Sequence, residues 1–192
     1  MKIKVLSHFL FDEEMKKIGL NDENVEQTDM AFISIIGTPE CLKYYLDEGK
    51  TKHYFSDGHL NVLNLDFDDI DCYVDYNGHL FKTMSMEQAE ATIDFIENMV
   101  RMGVGEIKIH CRAGYSRSRA VAEFIYRYCK ENDVDVEYDD RNDFSTLLNQ
   151  GVLRRLNNAY WKKNKINGYE NDNEYPDDLL NPKIKFIIEN DN

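Results

Sequence analysis

Cys111 and Arg117 are the two residues of this sequence best suited, by type and spacing, to chemistry on a bound anion. A cysteine thiolate is a strong nucleophile, and helix N-termini and nearby cations favour the thiolate over the thiol. The planar guanidinium of an arginine matches two oxygens of a phosphate group. The spacing alone is a weak indication, because a chain with four cysteines and eight arginines matches it by chance in roughly one case in six.

The residues that flank this pair strengthen the interpretation. Gly114 allows the backbone to curl, and a tight loop that enters a helix points several backbone N–H groups at one anion. Ser118 is expected to hydrogen-bond the thiolate and to help it leave. His110 is expected to face away from the anion and to order the loop through its ring nitrogens. The backbone N–H groups expected to bind the anion beside Arg117 belong to Arg112, Ala113, Gly114, Tyr115 and Ser116.

Apolar segments of strand length predict the strands that would position this loop. The segment at residues 32–36 (FISII) is continuously apolar, which is typical of a strand buried on both faces of a sheet. The third predicted strand is followed by an acidic, irregular stretch through His79. The predicted strands cover residues 2–10, 32–36, 61–67 and 106–110.

Residues 85–102 form the clearest predicted helix, because Ser85 and Gln88 match a capping box and a glycine follows as a stop. Apolar residues recur through this segment at helical spacing. Thr38 and Pro39 also match the start of a helix. Further helices are predicted at residues 12–18, 116–131 and 144–163.

Strands that alternate with helices predict an α/β fold, in which helices flank a central, mostly parallel sheet. The loop that begins at Cys111 then lies between a strand and a helix, where α/β folds bind their ligands. Residues 1–165 are expected to form one domain, which suits a chain of 192 residues. Residues 166–192 are expected to form an acidic extension, partly ordered or docked through residues 184–188 (IKFII).

The composition narrows the class of partner. A net charge of −13 disfavours binding to nucleic acids and to anionic membranes. The sequence lacks both an apolar run of membrane-spanning length and a signal-peptide pattern, so the cytoplasm is the expected location. Its four cysteines form no CxxC pair and its histidines show no ligand spacing. We therefore expect a reducing compartment, no disulfide, no metal and no cofactor.

The loop sequence HCRAGYSRS resembles the signature HCxxGxxRS of the protein tyrosine phosphatase superfamily, and is closest to dual-specificity and small bacterial tyrosine phosphatase-like proteins. The segments NVLNLDFDDID and IDFIENMVRMGVGEIKIHC resemble the acid-bearing region, helix and strand of that family in the same order. The resemblance implies a cysteine-dependent phosphatase, specific for phosphotyrosine or of dual specificity, that acts through a phosphocysteine on Cys111. It implies a phosphorylated protein or a small phosphomonoester as substrate, and residues 1–165 as the phosphatase domain.

In that family an upstream aspartate protonates the leaving oxygen and later activates water, which is general acid–base catalysis. Asp69 is the preferred candidate, because FDDI directly after a predicted strand resembles the acid-bearing segment of bacterial relatives. The following CYVDYNGHLF would then be a local insertion. Asp75 is nearer to the family's usual separation from the cysteine. The full set of candidates is Asp68, Asp69, Asp71 and Asp75, and a solvated acidic turn is the alternative for at least two of the first three.

Two other classes of function compete with a phosphatase. A phosphate-binding pseudophosphatase would use the same loop to bind a phosphorylated partner without turnover. A rhodanese-like sulfurtransferase also places a cysteine loop at a strand end, but His110 and the pair Arg117–Ser118 count against it. Cys72 is a candidate resolving thiol for an oxidised Cys111, and an ordinary loop cysteine is the preferred interpretation.

The remaining polar residues around the loop are assigned to the surface. Arg112 and Arg119 are expected to face solvent, and Arg112 is a candidate for attracting an anionic substrate. Tyr115 is expected either to line the pocket or to pack. Asn149 and Gln150 lie where some relatives in that family place a water-positioning amide, and we expect polar positions on a helix surface instead.

Overall fold

The structure is a computed structural model, and it describes residues 1–39, 41, 52–70, 74–76, 79–138 and 148–164. Within these residues four parallel strands form one sheet: β1 (Lys2–Ser7), β2 (Met30–Ile36), β3 (Val62–Asp66) and β6 (Glu106–Cys111). Their order across the sheet is β1-β6-β2-β3. This sheet and the helices that cover it confirm the predicted α/β fold class.

The described helices are α1 (His8–Lys17), α2 (Met86–Met102), α3 (Arg117–Glu131) and α4 (Gln150–Asn164), with a 3-10 turn at Val25–Gln27. The capping box that was expected for α2 is present, because the Ser85 side chain accepts from the Gln88 backbone and the Gln88 side chain accepts from the Ser85 backbone. Gly103 ends α2 in the left-handed region, at φ 72°.

Each face of the sheet carries its own apolar cluster. On one face, side chains of β2 and β6 pack with those of α2, α3 and α4. On the other face, Phe11 and Met15 of α1 pack against Phe32 of β2 and Phe55. An ion pair also fixes α1, since the buried Nζ of Lys108 lies 2.9 Å from Glu14 Oε1. Helices on both faces explain why β2 is almost wholly buried along its length.

Some predicted boundaries are wrong at the N-terminus. The first strand ends at Ser7 rather than at residue 10, because the Ser7 hydroxyl accepts from Leu10 N and begins α1 there. The helix predicted at residues 12–18 therefore starts four residues earlier, at His8.

Other predictions change in the middle of the chain and towards its end. The stretch expected to be irregular contains an antiparallel pair, β4 (Val74–Tyr76) and β5 (His79–Phe81). Pro39 and Cys41 are helical as expected, and residues 40 and 42–51 lie outside the described residues. Residues 144–147 and the extension at 166–192 also lie outside them. In the parts of the chain that are described, no helix has the length and apolar character to cross a membrane.

Candidate active site

The loop at residues 112–116 connects the end of β6 to the start of α3, and it brings Cys111 and Arg117 to one cavity. Cys111 is buried, and its Sγ lies 3.1 Å from the Ser118 hydroxyl, so the contact expected between these two residues is present. Pairing of β6 with β1 and β2 puts Cys111 beside Ser7 at the carboxyl edge of the sheet. The N-terminus of α3 therefore faces the cavity, and its dipole favours an anion there.

Gly114 fixes the path of this loop. Its φ is +78°, and a Cβ at this position would lie 2.8 Å from Leu6 C and from Ser7 N. Such distances are shorter than van der Waals contact, so the loop can cross the end of β1 only where a side chain is absent. The His8 backbone N–H also donates to the Arg112 carbonyl at 3.3 Å. The loop is thus held against the junction of β1 and α1.

The cavity has a volume of about 270 Å³. Cys111, Arg117 and Asp69 line it, together with Cys41 and Phe81. Most of the remaining wall is apolar and comes from the ends of β2 and β3, while exposed residues of the loop form the rim. Arg112 and Tyr115 are on this rim, so both contribute to the pocket.

Arg117 is buried at the base of the cavity and is only partly bonded to the protein. Its Nη1 donates to the Phe67 carbonyl at 2.6 Å, which fixes the plane of the guanidinium. Its Nε lies 4.0 Å from Asp69 Oδ2 and has no hydrogen-bond partner within the described residues. A buried N–H group without a partner is costly, and an anion in the cavity would supply the missing acceptor.

The two neighbouring carboxylates at the end of β3 have different environments. Asp68 is 1% exposed and accepts from Thr38 N, Thr38 Oγ1 and Lys82 N at 2.8–2.9 Å. The side chain of Asp69 is 42% exposed, and its Oδ1 accepts from Ser116 Oγ at 2.6 Å and from Asn149 Nδ2 at 2.9 Å. Asp68 therefore joins chain segments, whereas Asp69 stands at the cavity mouth beside the loop.

The structure describes neither side chain of the other two aspartate candidates. Asp71 lies outside the described residues, and only the backbone of Asp75 is described, within β4. Cys72, the candidate resolving thiol, also lies outside them.

The thiol of Cys41 also lines the cavity. Burial, followed by the charge and hydrogen bond of Asp68, raises the pKa of Cys41 to about 12. Burial likewise raises the pKa of Cys129, in α3, to about 11. Both side chains therefore remain neutral thiols near pH 7, and a neutral thiol is a poor nucleophile.

His110 does not play the part expected of its ring nitrogens. Its buried ring packs 4.2 Å from the Phe11 ring and 5.1 Å from the His8 ring, measured between centroids. Neither ring nitrogen has a hydrogen-bond partner among the described residues. Burial, and then the charges of His8, His53 and Arg117, hold the pKa of His110 well below its ordinary value. The prediction that these nitrogens order the loop is wrong, because the side chain points into the apolar cluster below α1.

The surface assignments of Asn149 and Arg119 are also wrong. Arg119 is buried within α3. Asn149 is 6% exposed and reaches Asp69. The predicted helix at residues 144–163 placed Asn149 in its interior, but α4 begins at Gln150, so Asn149 is the N-cap. The contribution of His8 and Phe81 to the cavity had no signal in the sequence, because it depends on how α1 and β5 pack.

No family model and no curated protein sequence matches the chain. Among solved structures, the chain is similar to the crystal structure of the human tyrosine phosphatase-like serine/threonine/tyrosine-interacting protein. The match covers 79% of this chain and 83% of that chain, with 18% sequence identity and a TM-score of 0.43. A likeness of this degree says nothing about the activity of this chain, whose candidate site stands on its own geometry.

We expect Gly114→Ala to abolish the binding of inorganic phosphate, because the new Cβ forces the loop away from Leu6 and Ser7. Gly103→Ala is the matched control, since Gly103 has a φ of +72° but a Cβ added there would meet no atom within 4 Å. The control loses only about 1–2 kcal/mol of stability through left-handed strain and keeps phosphate binding. Calorimetric titration with phosphate measures both, and wild-type affinity in Gly114→Ala would contradict the assignment of the loop.

The lowered pKa of His110 predicts a pH-dependent stability. Below the ordinary histidine pKa of about 6.5, the unfolded chain binds a proton at this position that the folded chain rejects. Stability should therefore be full above pH 6.5 and fall below it by up to about 1.4 kcal/mol per pH unit. His110→Phe lacks this dependence, so urea unfolding of both proteins from pH 8 to pH 5 should show the wild type losing stability relative to the variant as the pH falls. Parallel curves would refute the prediction.

Proposed function

We propose that this protein is a cysteine-dependent phosphatase of the protein tyrosine phosphatase superfamily, which hydrolyses phosphomonoesters of the phosphotyrosine or dual-specificity type through phospho-Cys111. One observation carries the proposal: the Cys111 thiol, the Arg117 guanidinium and the Asp69 carboxylate line one cavity at the N-terminus of α3. These are the nucleophile, the anion clamp and the acid that two-step phosphoryl transfer needs.

The first step transfers the phosphoryl group to sulfur. The loop N–H groups and Arg117 hold the three equatorial oxygens, while the Cys111 thiolate attacks phosphorus opposite the leaving oxygen. The S–P bond forms as the P–O bond breaks. Asp69 gives its proton to the leaving oxygen, so the product is a neutral alcohol or phenol.

The second step regenerates the enzyme. The Asp69 carboxylate accepts a proton from water, whose oxygen attacks phosphorus while the S–P bond breaks. The sulfur leaves as a thiolate, and the Ser118 hydroxyl at 3.1 Å is placed to donate a hydrogen bond to it. The products are inorganic phosphate and the starting thiolate, so one ester and one water are consumed in each cycle.

The different environments of the polar groups support this division of roles. Cys41 has a pKa of about 12, so it does not compete with Cys111 as a nucleophile. Asp68 also lines the cavity, but it is 1% exposed and its carboxylate already accepts from Thr38 and Lys82. Asp69 is exposed at the mouth, where a leaving group would depart.

We expect Cys111→Ser to lower turnover of an aryl phosphate by at least about 10⁴-fold, because the serine hydroxyl is not ionised near pH 7. Cys129→Ala is the control, since this thiol lies in α3 away from the cavity lining and should leave turnover unchanged. Rapid quenching with ³²P-labelled substrate should trap a phosphoenzyme in the wild type and not in Cys111→Ser.

The same assays separate the competing functions. Turnover by Cys111→Ser at the native rate would sink the phosphatase proposal. A wild type that binds phosphate without turnover would be a phosphate-binding module instead. Turnover of thiosulfate in preference to aryl phosphate would identify a sulfurtransferase.

The adjacent aspartates give a second test. Asp69→Asn should reduce turnover of an alkyl phosphate, whose leaving group requires a proton, by about 10²–10⁴-fold through loss of the general acid, with little change in stability because the side chain is exposed. Asp68→Asn should instead act mainly on stability and less on turnover. Its new NH₂ group faces backbone donors, which costs about 1–3 kcal/mol of stability. Turnover and urea unfolding are measured for both variants. Full activity in Asp69→Asn would exclude it as the acid.

A further inference from the structure

Asn149 is the one residue whose hydrogen bonds, among the described residues, join the proposed acid, the phosphate loop and a helix. Its Nδ2 donates to Asp69 Oδ1 at 2.9 Å and approaches the Ile70 carbonyl at 3.5 Å. Its backbone N–H donates to the Ser116 carbonyl at 3.3 Å. Its Oδ1 accepts from Val152 N at 2.9 Å. Since the side chain is 6% exposed, water competes little for these bonds.

The orientation of the Asn149 amide follows from its neighbours. Val152 N is a donor, so the atom facing it must be the carbonyl oxygen, which makes Asn149 the N-cap of α4. The NH₂ group is then turned toward Asp69 and the Ile70 carbonyl, and both of these are acceptors. The reversed amide would place donor against donor and acceptor against acceptor. The hydrogen bond that caps α4 thus fixes the orientation of the Asn149 NH₂ group, which donates to Asp69.

Ser116 completes a closed arrangement with these two residues. Its hydroxyl donates to the same Asp69 Oδ1 at 2.6 Å, while its carbonyl accepts from the Asn149 backbone. Both donors therefore act on one carboxylate oxygen and leave Oδ2 on the side of Arg117, 4.0 Å from its Nε. Oδ2 is the oxygen free to carry a proton toward a leaving group.

We propose that Asn149 is a positioning residue, which sets the distance between the Asp69 carboxyl and the Cys111 loop by anchoring both to the N-terminus of α4. The inference rests on the proposed phosphatase function. An acid held by two fixed donors is already oriented to protonate the leaving oxygen. Misplacement of a catalytic group by about 1 Å is enough to lower the rate by about 10²-fold.

The test compares substrates that differ in their need for an acid. An aryl phosphate with a nitro-substituted phenol leaves readily without a proton, whereas an alkyl phosphate requires one. Asn149→Ser retains a capping oxygen but is too short to reach Asp69. We expect it to lower kcat/KM for the alkyl phosphate by about 10–100-fold and to change kcat/KM for the nitrophenyl phosphate by less than about threefold, because that leaving group needs little acid.

Ser85→Ala is the matched control, because it removes the N-cap of α2 without contacting Asp69. It should lower the melting temperature and affect the two substrates equally. In an Asp69→Asn background, Asn149→Ser should cause no further loss, since the two residues act as one unit.

Three results would overturn the inference. Equal losses for both substrates in Asn149→Ser would make Asn149 a helix cap alone. Additive losses with Asp69→Asn would show that it acts independently of the acid. A wild type without turnover on either substrate would remove the proposed function itself, and that outcome is distinct because it needs no variant.

Discussion

The close approach of Gly114 to the backbone of Leu6 and Ser7 is the constraint on which the candidate site depends. Because the loop crosses the end of β1 without a side chain, it can turn within five residues from the last position of β6 to the first of α3. That short path aims the loop N–H groups and the α3 dipole at the place where the Cys111 sulfur lies. The candidate anion site is thus a product of backbone packing, and the side chains of Cys111 and Arg117 complete it.

The same edge of the sheet separates two carboxylates that are neighbours in sequence. The chain turns tightly at Asp69, where the Ile70 backbone N–H donates to the Asp68 carbonyl at 3.0 Å, and the Asp68 side chain lies inward while that of Asp69 faces the loop. The inward carboxylate is surrounded by donors from Thr38 and Lys82, which tie the end of β2 to the end of β5. The outward one is held by Ser116 and Asn149. Asp68 thus stabilises the cavity, and Asp69 is the residue to which the proposal assigns the acid's role.

Local patterns were enough to predict the loop and most of the elements around it. The spacing from His110 to Ser118, the apolar run of β2 and the Ser85–Gln88 capping box are all encoded by residues close in sequence. The boundary errors at the N-terminus are local, whereas the misassigned side chains have surroundings that come from distant segments. The environment of His110 is set by Phe11, 99 positions away, and that of Asn149 by Asp69, 80 positions away. Periodicity carries no information about such contacts.

The cavity holds a buried positive charge, although the chain as a whole is strongly negative. The net charge is −13, yet the base of the cavity holds a buried guanidinium whose Nε, without a hydrogen-bond partner among the described residues, faces Asp69 at 4.0 Å. In the proposed mechanism a phosphate dianion takes the place of Asp69 as the nearest anionic partner of Arg117. The carboxyl group of Asp69 then lies beside the transferring phosphoryl group, where its proton can reach the leaving oxygen. Departure of the leaving group takes that proton away and leaves the carboxylate as the base for the second step.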